Sequence, residues 1–165
     1  MIKIRRLRKK EVQNLVAEIR MNDDLSIEVD LKKKTASVEV TKHSSGFTIY
    51  LVNGNPSYIR KNNSLFPVLS NEKLVNFLNR ITVDMGAIPY ICNGADVMAP
   101  GVVNVSGDFD YSALVTIVDE NHGKAIAIGK ALLNSKDIRN AKKGKVVNVL
   151  HYVGDRIWHY AKELI

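Results

Sequence analysis

Small residues are paired at two points of the stretch Thr82 to Gly101, TVDMGAIPYICNGADVMAPG: Gly86-Ala87 precedes a predicted short helix and Gly94-Ala95 follows it. With almost no side-chain bulk at either end, an incoming backbone or base would approach the main chain closely. Amides at the start of the helix would donate to phosphate oxygens, and the edge of a strand over Ala95 to Met98 would offer main-chain groups to an unpaired base. The same glycines also serve positive φ angles and tight packing, so spacing alone leaves both readings open. Asp84 is expected to cap the helix, Asp96 and Met98 belong to the candidate surface, and Met98 also suits a core. Lys130, Lys142, Lys143, Lys145 and Arg156 are candidates to line one rim as phosphate contacts. A second basic run, Lys3, Arg5, Arg6, Arg8, Lys9 and Lys10, extended by Lys32, Lys33 and Lys34, would meet RNA phosphates with little base specificity.

The residues that would carry catalysis are not arranged for it. No two glycines are spaced as G-x-G, and there is no Walker loop and no H-E-x-x-H element. His43, His122, His151 and His159 lack ligand spacing, and Cys92 lies inside a predicted helix that should bury it. His151 and Asp155, at i and i+4, read as a hydrogen-bonded structural contact. The expectation is a protein that is not an enzyme and has no cofactor and no metal.

These residues need a scaffold, and 165 residues provide one ordinary domain or two small ones. The single cysteine excludes an internal disulfide and fits a reducing cytoplasm. No run of about 18 apolar residues suggests a membrane span, and the basic N-terminus lacks the apolar stretch of a signal. The formal charge is +7, which suits polyanions such as RNA. Most of that excess lies before Leu78, which suggests two units, residues 1–78 and 79–165.

In the first unit, Val12, Leu15, Val16 and Ile19 predict an amphipathic helix after an edge strand at Met1 to Arg6. Alternation predicts strands through Leu25, Ile27, Val29 and Leu31, through Ala36, Val38 and Val40, and through Phe47, Ile49 and Leu51. Turns follow at Asn53-Gly54-Asn55-Pro56 and Asn62-Asn63, with Tyr58 to Lys61 pairing back between them. A short helix from about Asn71 would present Leu74, Val75, Leu78 and Ile81, with Ser70 as its N-cap. In the second unit the predicted strands are Ile81 to Val83, Ala95 to Met98, Val102 to Val105, Leu114 to Val118, Ala125 to Ala131, Lys145 to Leu150 and Arg156 to His159. Short helices are predicted over Ala87 to Asn93, ending on Gly94, and over Ser135 to Lys142, starting on a serine cap. The fold class is α+β, a small α+β unit followed by a compact barrel.

The stretch TVDMGAIPYICNGADVMAPG resembles the signature of the PUA domain, the RNA-binding pseudobarrel named for pseudouridine synthase and archaeosine transglycosylase. Gly129-Lys130-Ala131, the Ser135 helix, Gly144-Lys145 and NVLHYVGDRIW resemble the closing half of that domain in its usual order. Together with LFPVL at Leu65 to Leu69 and the upstream (pre-PUA) unit, the ending HYVGDRIWHY is similar to the malignant-T-cell-amplified-sequence family, which includes archaeal single-chain relatives and the homologous half of ligatin. The resemblance implies a β-pseudobarrel with short helices that contacts tRNA or small-subunit rRNA during translation. It further implies an upstream domain docking on the small ribosomal subunit or on a density-regulated-protein-like partner. An accessory subunit that delivers a separate tRNA or rRNA modification enzyme, and a protein-interaction module without RNA affinity, are the alternatives.

Overall fold

The computed structural model describes residues 1–25 and 36–165. Apart from Leu25, the strand predicted up to Leu31 lies outside the described residues, as do Lys32, Lys33 and Lys34. The chain opens with β1 (Ile4–Arg6) and α1 (Lys9–Met21). Glu11 reaches back to accept the Arg8 amide at 2.7 Å, satisfying an amide that the helix cannot. Leu15 and Ile19 bury the helix face that the heptad-like spacing predicts. Then come β2 (Val38–Lys42), β3 (Thr48–Val52), β4 (Asn55–Lys61) and β5 (Ser64–Pro67), an antiparallel meander in the order β1-β2-β3-β4-β5. Its two tight hairpins turn on left-handed pairs, Asn53-Gly54 and Asn62-Asn63, the conformation that matches strand twist. β5 is an addition to the predicted strands: Leu65, Phe66 and Pro67 are all buried, so the run shows no alternation. α2 (Glu72–Phe77) closes the unit, capped by Asn71, whose side chain accepts the Leu74 amide, and not by Ser70. Ile81 belongs to the next strand.

The second sheet is built from β6 (Asn79–Val83), then past α3 (Ile88–Ile91) from β7 (Val97–Met98), β8 (Val102–Ser106), β9 (Leu114–Asp119) and β10 (Ala125–Ala131), and past α4 (Ser135–Asn140) from β11 (Lys145–Tyr152). Its order is β7-β11-β10-β9-β6-β8, antiparallel except for β6 beside β9. Of the strand predicted over Ala95 to Met98, only Val97–Met98 pairs. α4 is capped by Asn134 rather than Ser135, whose buried hydroxyl instead receives the Phe109 amide at 3.1 Å. The predicted strand Arg156 to His159 is a helix, α5 (Arg156–Glu163). Asp155 caps it through the Trp158 amide at 2.7 Å, and Ile157, Tyr160 and Ala161 recur at helical spacing.

α5 decides how the two units meet. Ile157, Tyr160 and Ala161, with Leu114 and Ile128 of the second sheet, join the core formed by α1, the first sheet and α2. The Tyr160 hydroxyl bonds the Thr41 hydroxyl at 2.7 Å, Thr116 donates to the Val75 carbonyl at 2.8 Å, and the Leu114 amide donates to Asp24 at 3.0 Å. Burying an isoleucine or tyrosine side chain stabilises by roughly 1.5–3 kcal/mol, so α5 alone holds the units firmly. The architecture is α+β, as the pattern of elements implies.

Candidate nucleic-acid interface

The paired small residues sit in the turns on either side of α3, where Gly86, Gly94 and Ala95 are exposed. Asp84 accepts the Ala87 amide at 2.8 Å in the turn before α3, whose N-cap is Ala87 without a side-chain hydrogen bond and not the expected Asp84, and Glu120 accepts the Met85 amide at 3.2 Å. Two carboxylates thus occupy donors that a phosphate was expected to use, and α3 is a single turn. The Gly86, Ile88 and Tyr90 amides take no acceptor among the described residues. Gly94 adopts φ +96°, and a side chain there would stand 3.3 Å from the Tyr152 phenol oxygen. Its amide donates to Ile91 and that of Ala95 to Tyr90. Gly101 admits the Ala87 methyl, which would lie 3.2 Å from an added Cβ. One turn of helix seats on the sheet here because both surfaces are small.

The edge of the second sheet at β7 is open too, with cations beside it. Lys142 and Lys143 are exposed in the segment before β11, and the Gly144 carbonyl accepts the Ala99 amide at 2.8 Å. Lys145 stands opposite Met98 in the ladder, and its ammonium lies 3.4 Å from Asp96. The second oxygen of Asp96 accepts the Val149 amide at 2.9 Å, so this carboxylate is committed to holding β11 to the turn before β7. Met98 is exposed, not core. Lys130 and Arg156 lie on other elements. Lys130 lines a cavity of about 210 Å³ with Glu18, Asn63 and Ser112 at the junction of the units, and Arg156 opens α5.

Sequence reasoning passed over Tyr90 on α3 and Met85 just before it, both exposed. The available signal was phase: Ile91 is the buried residue of α3, and its neighbour Tyr90 is an aromatic off the apolar face.

Lys3, Arg5, Arg6, Arg8, Lys9 and Lys10 are all exposed on β1 and around the start of α1. Arg5 forks onto Glu11 at 2.9 and 2.8 Å. That bond, with the Arg8 amide, lowers the Glu11 carboxyl to about 2. Arg6 and Lys9 also rim a groove of about 580 Å³ floored by Leu7, Val12 and Val16.

Burial raises the Cys92 thiol, which disfavours the reactive thiolate. Buried His151 receives the Leu69 amide on Nε2 at 3.2 Å and meets Asp155 through Nδ1 at 2.9 Å, so both ring nitrogens serve structure. Among the described residues, no group of three His, Cys, Asp or Glu is placed to hold a metal, and no helix is long and apolar enough to cross a membrane.

Comparison with known proteins places residues 79–153 in the PUA domain and residues 6–71 in a domain of unknown function, DUF1947. An uncharacterized protein of Methanocaldococcus jannaschii, MJ1432, is 38% identical over 157 residues, covering 93% of this chain and 94% of the relative. Translation machinery-associated protein 20 of Saccharomyces cerevisiae is 28% identical over 141 residues, 81% and 78% of the two chains. Malignant T-cell-amplified sequence 1-B of Xenopus laevis is 28% identical over 131 residues, 76% and 72%. In three dimensions a PUA domain crystal structure from Aeropyrum pernix superposes with a TM-score of 0.86 at 26% identity, covering 99% of this chain and 93% of the other.

Proposed function

Because this chain belongs to the PUA-domain proteins in which a DUF1947 domain precedes the barrel, we propose that it binds RNA and acts on the translation machinery. The observation that carries this reading is that similarity to translation machinery-associated protein 20 runs through 141 residues, and so through both units. A barrel shared alone would fit delivery of some separate enzyme equally well. The finer reading is that residues 79–165 contact tRNA or small-subunit rRNA, while residues 1–78 dock on the small subunit or on a protein partner. Lys142, Lys143 and Lys145 supply phosphate contacts beside the β7 edge, and the exposed cations from Lys3 to Lys10 supply a second, sequence-indifferent patch. Contacts of this kind position a partner without reading its sequence.

Crosslinking in cells followed by sequencing of the attached RNA tests the proposal. Reads should concentrate in tRNA or small-subunit rRNA, and a flat profile across messengers would overturn it. Lys142→Glu with Lys143→Glu should weaken binding of purified RNA and make it less dependent on salt, since each phosphate contact contributes about one unit to the slope of affinity against salt.

A further inference from the structure

A hollow of about 620 Å³ lies where the two units meet, between the C-terminal ends of α1 and α2 and the turn before β9. Three large apolar side chains are exposed around it: Met21, Phe77 and Tyr111. Exposed apolar side chains scattered singly need no explanation, but a group around one concave feature marks a binding surface. The same hollow carries Asp24, Asp108 and Asp110 and, among the described residues that line it, no lysine or arginine, in a chain of formal charge +7.

Its walls are fixed. Phe109 is buried and its amide bonds the Ser135 hydroxyl at 3.1 Å, while the Ser112 amide donates to the Ala131 carbonyl at 2.8 Å. The turn between them is thereby pinned, with Asp110 and Tyr111 exposed on it. Asp24 accepts the Leu114 amide at 3.0 Å, which joins the wall from the first unit to the wall from the second. Asp108 meets Arg139 at 3.4 Å, but that guanidinium makes shorter bonds to the Val105 and Gly107 carbonyls. The Asp110 carboxylate takes no partner among the described residues. Such a surface repels RNA and suits a cation on an apolar stem: a guanidinium pairs with a carboxylate while its flat face lies on an aromatic ring.

We infer that this hollow docks an arginine-bearing segment of another protein, held by pairing with Asp108 and Asp110 and by stacking on Tyr111, with Met21 and Phe77 receiving its apolar side chains. Both units contribute, the first through the ends of α1 and α2 and the second through the turn before β9. The inference is independent of the RNA-binding reading, which uses other faces.

Fluorescence anisotropy with a labelled peptide of about 12 residues repeating arginine, glycine and leucine, and with the same peptide carrying lysine for arginine, tests it. The arginine peptide should bind about threefold more tightly than the lysine peptide, and Tyr111→Ala should erase that difference. Asp108→Asn with Asp110→Asn should weaken the arginine peptide by about tenfold, while Glu72→Gln with Glu163→Gln, exposed carboxylates on α2 and α5, leaves it unchanged. All of these side chains are exposed, so the variants should keep the circular dichroism of the parent. No binding of either peptide, no preference for arginine, or equal losses in the two carboxylate variants would overturn the inference. Self-association in sedimentation that Asp108→Asn with Asp110→Asn abolishes would overturn it too, by making a second copy of this chain the occupant. RNA binding should be the same in wild type and Tyr111→Ala, and a chain that binds the arginine peptide but no RNA would keep this site and remove the RNA-binding reading.

Discussion

The Asp155 carboxylate receives the Tyr152 amide at 3.0 Å, the Trp158 amide at 2.7 Å and the His151 ring at 2.9 Å. Burial by itself would raise this carboxyl, but the His151 bond and the two amides more than reverse that, and it titrates below its ordinary value. A carboxyl depressed in the folded state adds stability above its unfolded pKa and loses it as pH falls through the folded one. Asp155→Ala should therefore cost about 1–3 kcal/mol at neutral pH, with the deficit against wild type shrinking on acidification below about pH 4. Urea denaturation between those conditions measures it, and an equal deficit at both ends would contradict the linkage. The i, i+4 spacing made the His151–Asp155 contact legible in the chain. Its third member, the Leu69 amide, comes from the other unit and leaves no local trace.

At the scale of elements, three glycines that look alike in sequence have different roles. Gly129 sits at a break of register in β10, where an added Cβ would stand 2.3 Å from Val147 and 3.0 Å from the Asn148 carbonyl. Gly94 combines φ +96° with the Tyr152 contact, while Gly86 has ordinary φ and its nearest neighbour, an Asp84 oxygen, is at 3.4 Å. Substitution by alanine should destabilise in the order Gly129, Gly94, Gly86: about 2–4 kcal/mol, about 1 kcal/mol and within about 0.5 kcal/mol. Thermal melts of the three variants check this, and a Gly86→Ala as damaging as Gly129→Ala would refute it. Beside Gly94 stands the Tyr152 ring, 58 residues away in sequence, a neighbour that the spacing of small residues does not indicate.

The molecule as a whole behaves as one cooperative body if α5 and the faces of β9 and β10 are part of the first unit's core. Calorimetry should show one transition with equal calorimetric and van't Hoff enthalpies, and two separated transitions would refute the shared core. Removing Arg156 to Ile165 should disrupt the first unit as well as the second, since Tyr160 and Ile157 leave with it. The chain alone determined the turns at Asn53-Gly54 and Asn62-Asn63, the phase of α1, most strands of both sheets and the resemblance carried by VDMGAI and HYVGDRIW, because these depend on residues close in sequence. Tertiary structure alone decided that Arg156 to Glu163 is a helix packed on the first sheet, that Lys130 lines the junction of the units, and that Tyr152 stands beside Gly94. Four residues such as RIWH fit either period, and whether a gap is open or filled depends on side chains that only the folded chain brings together.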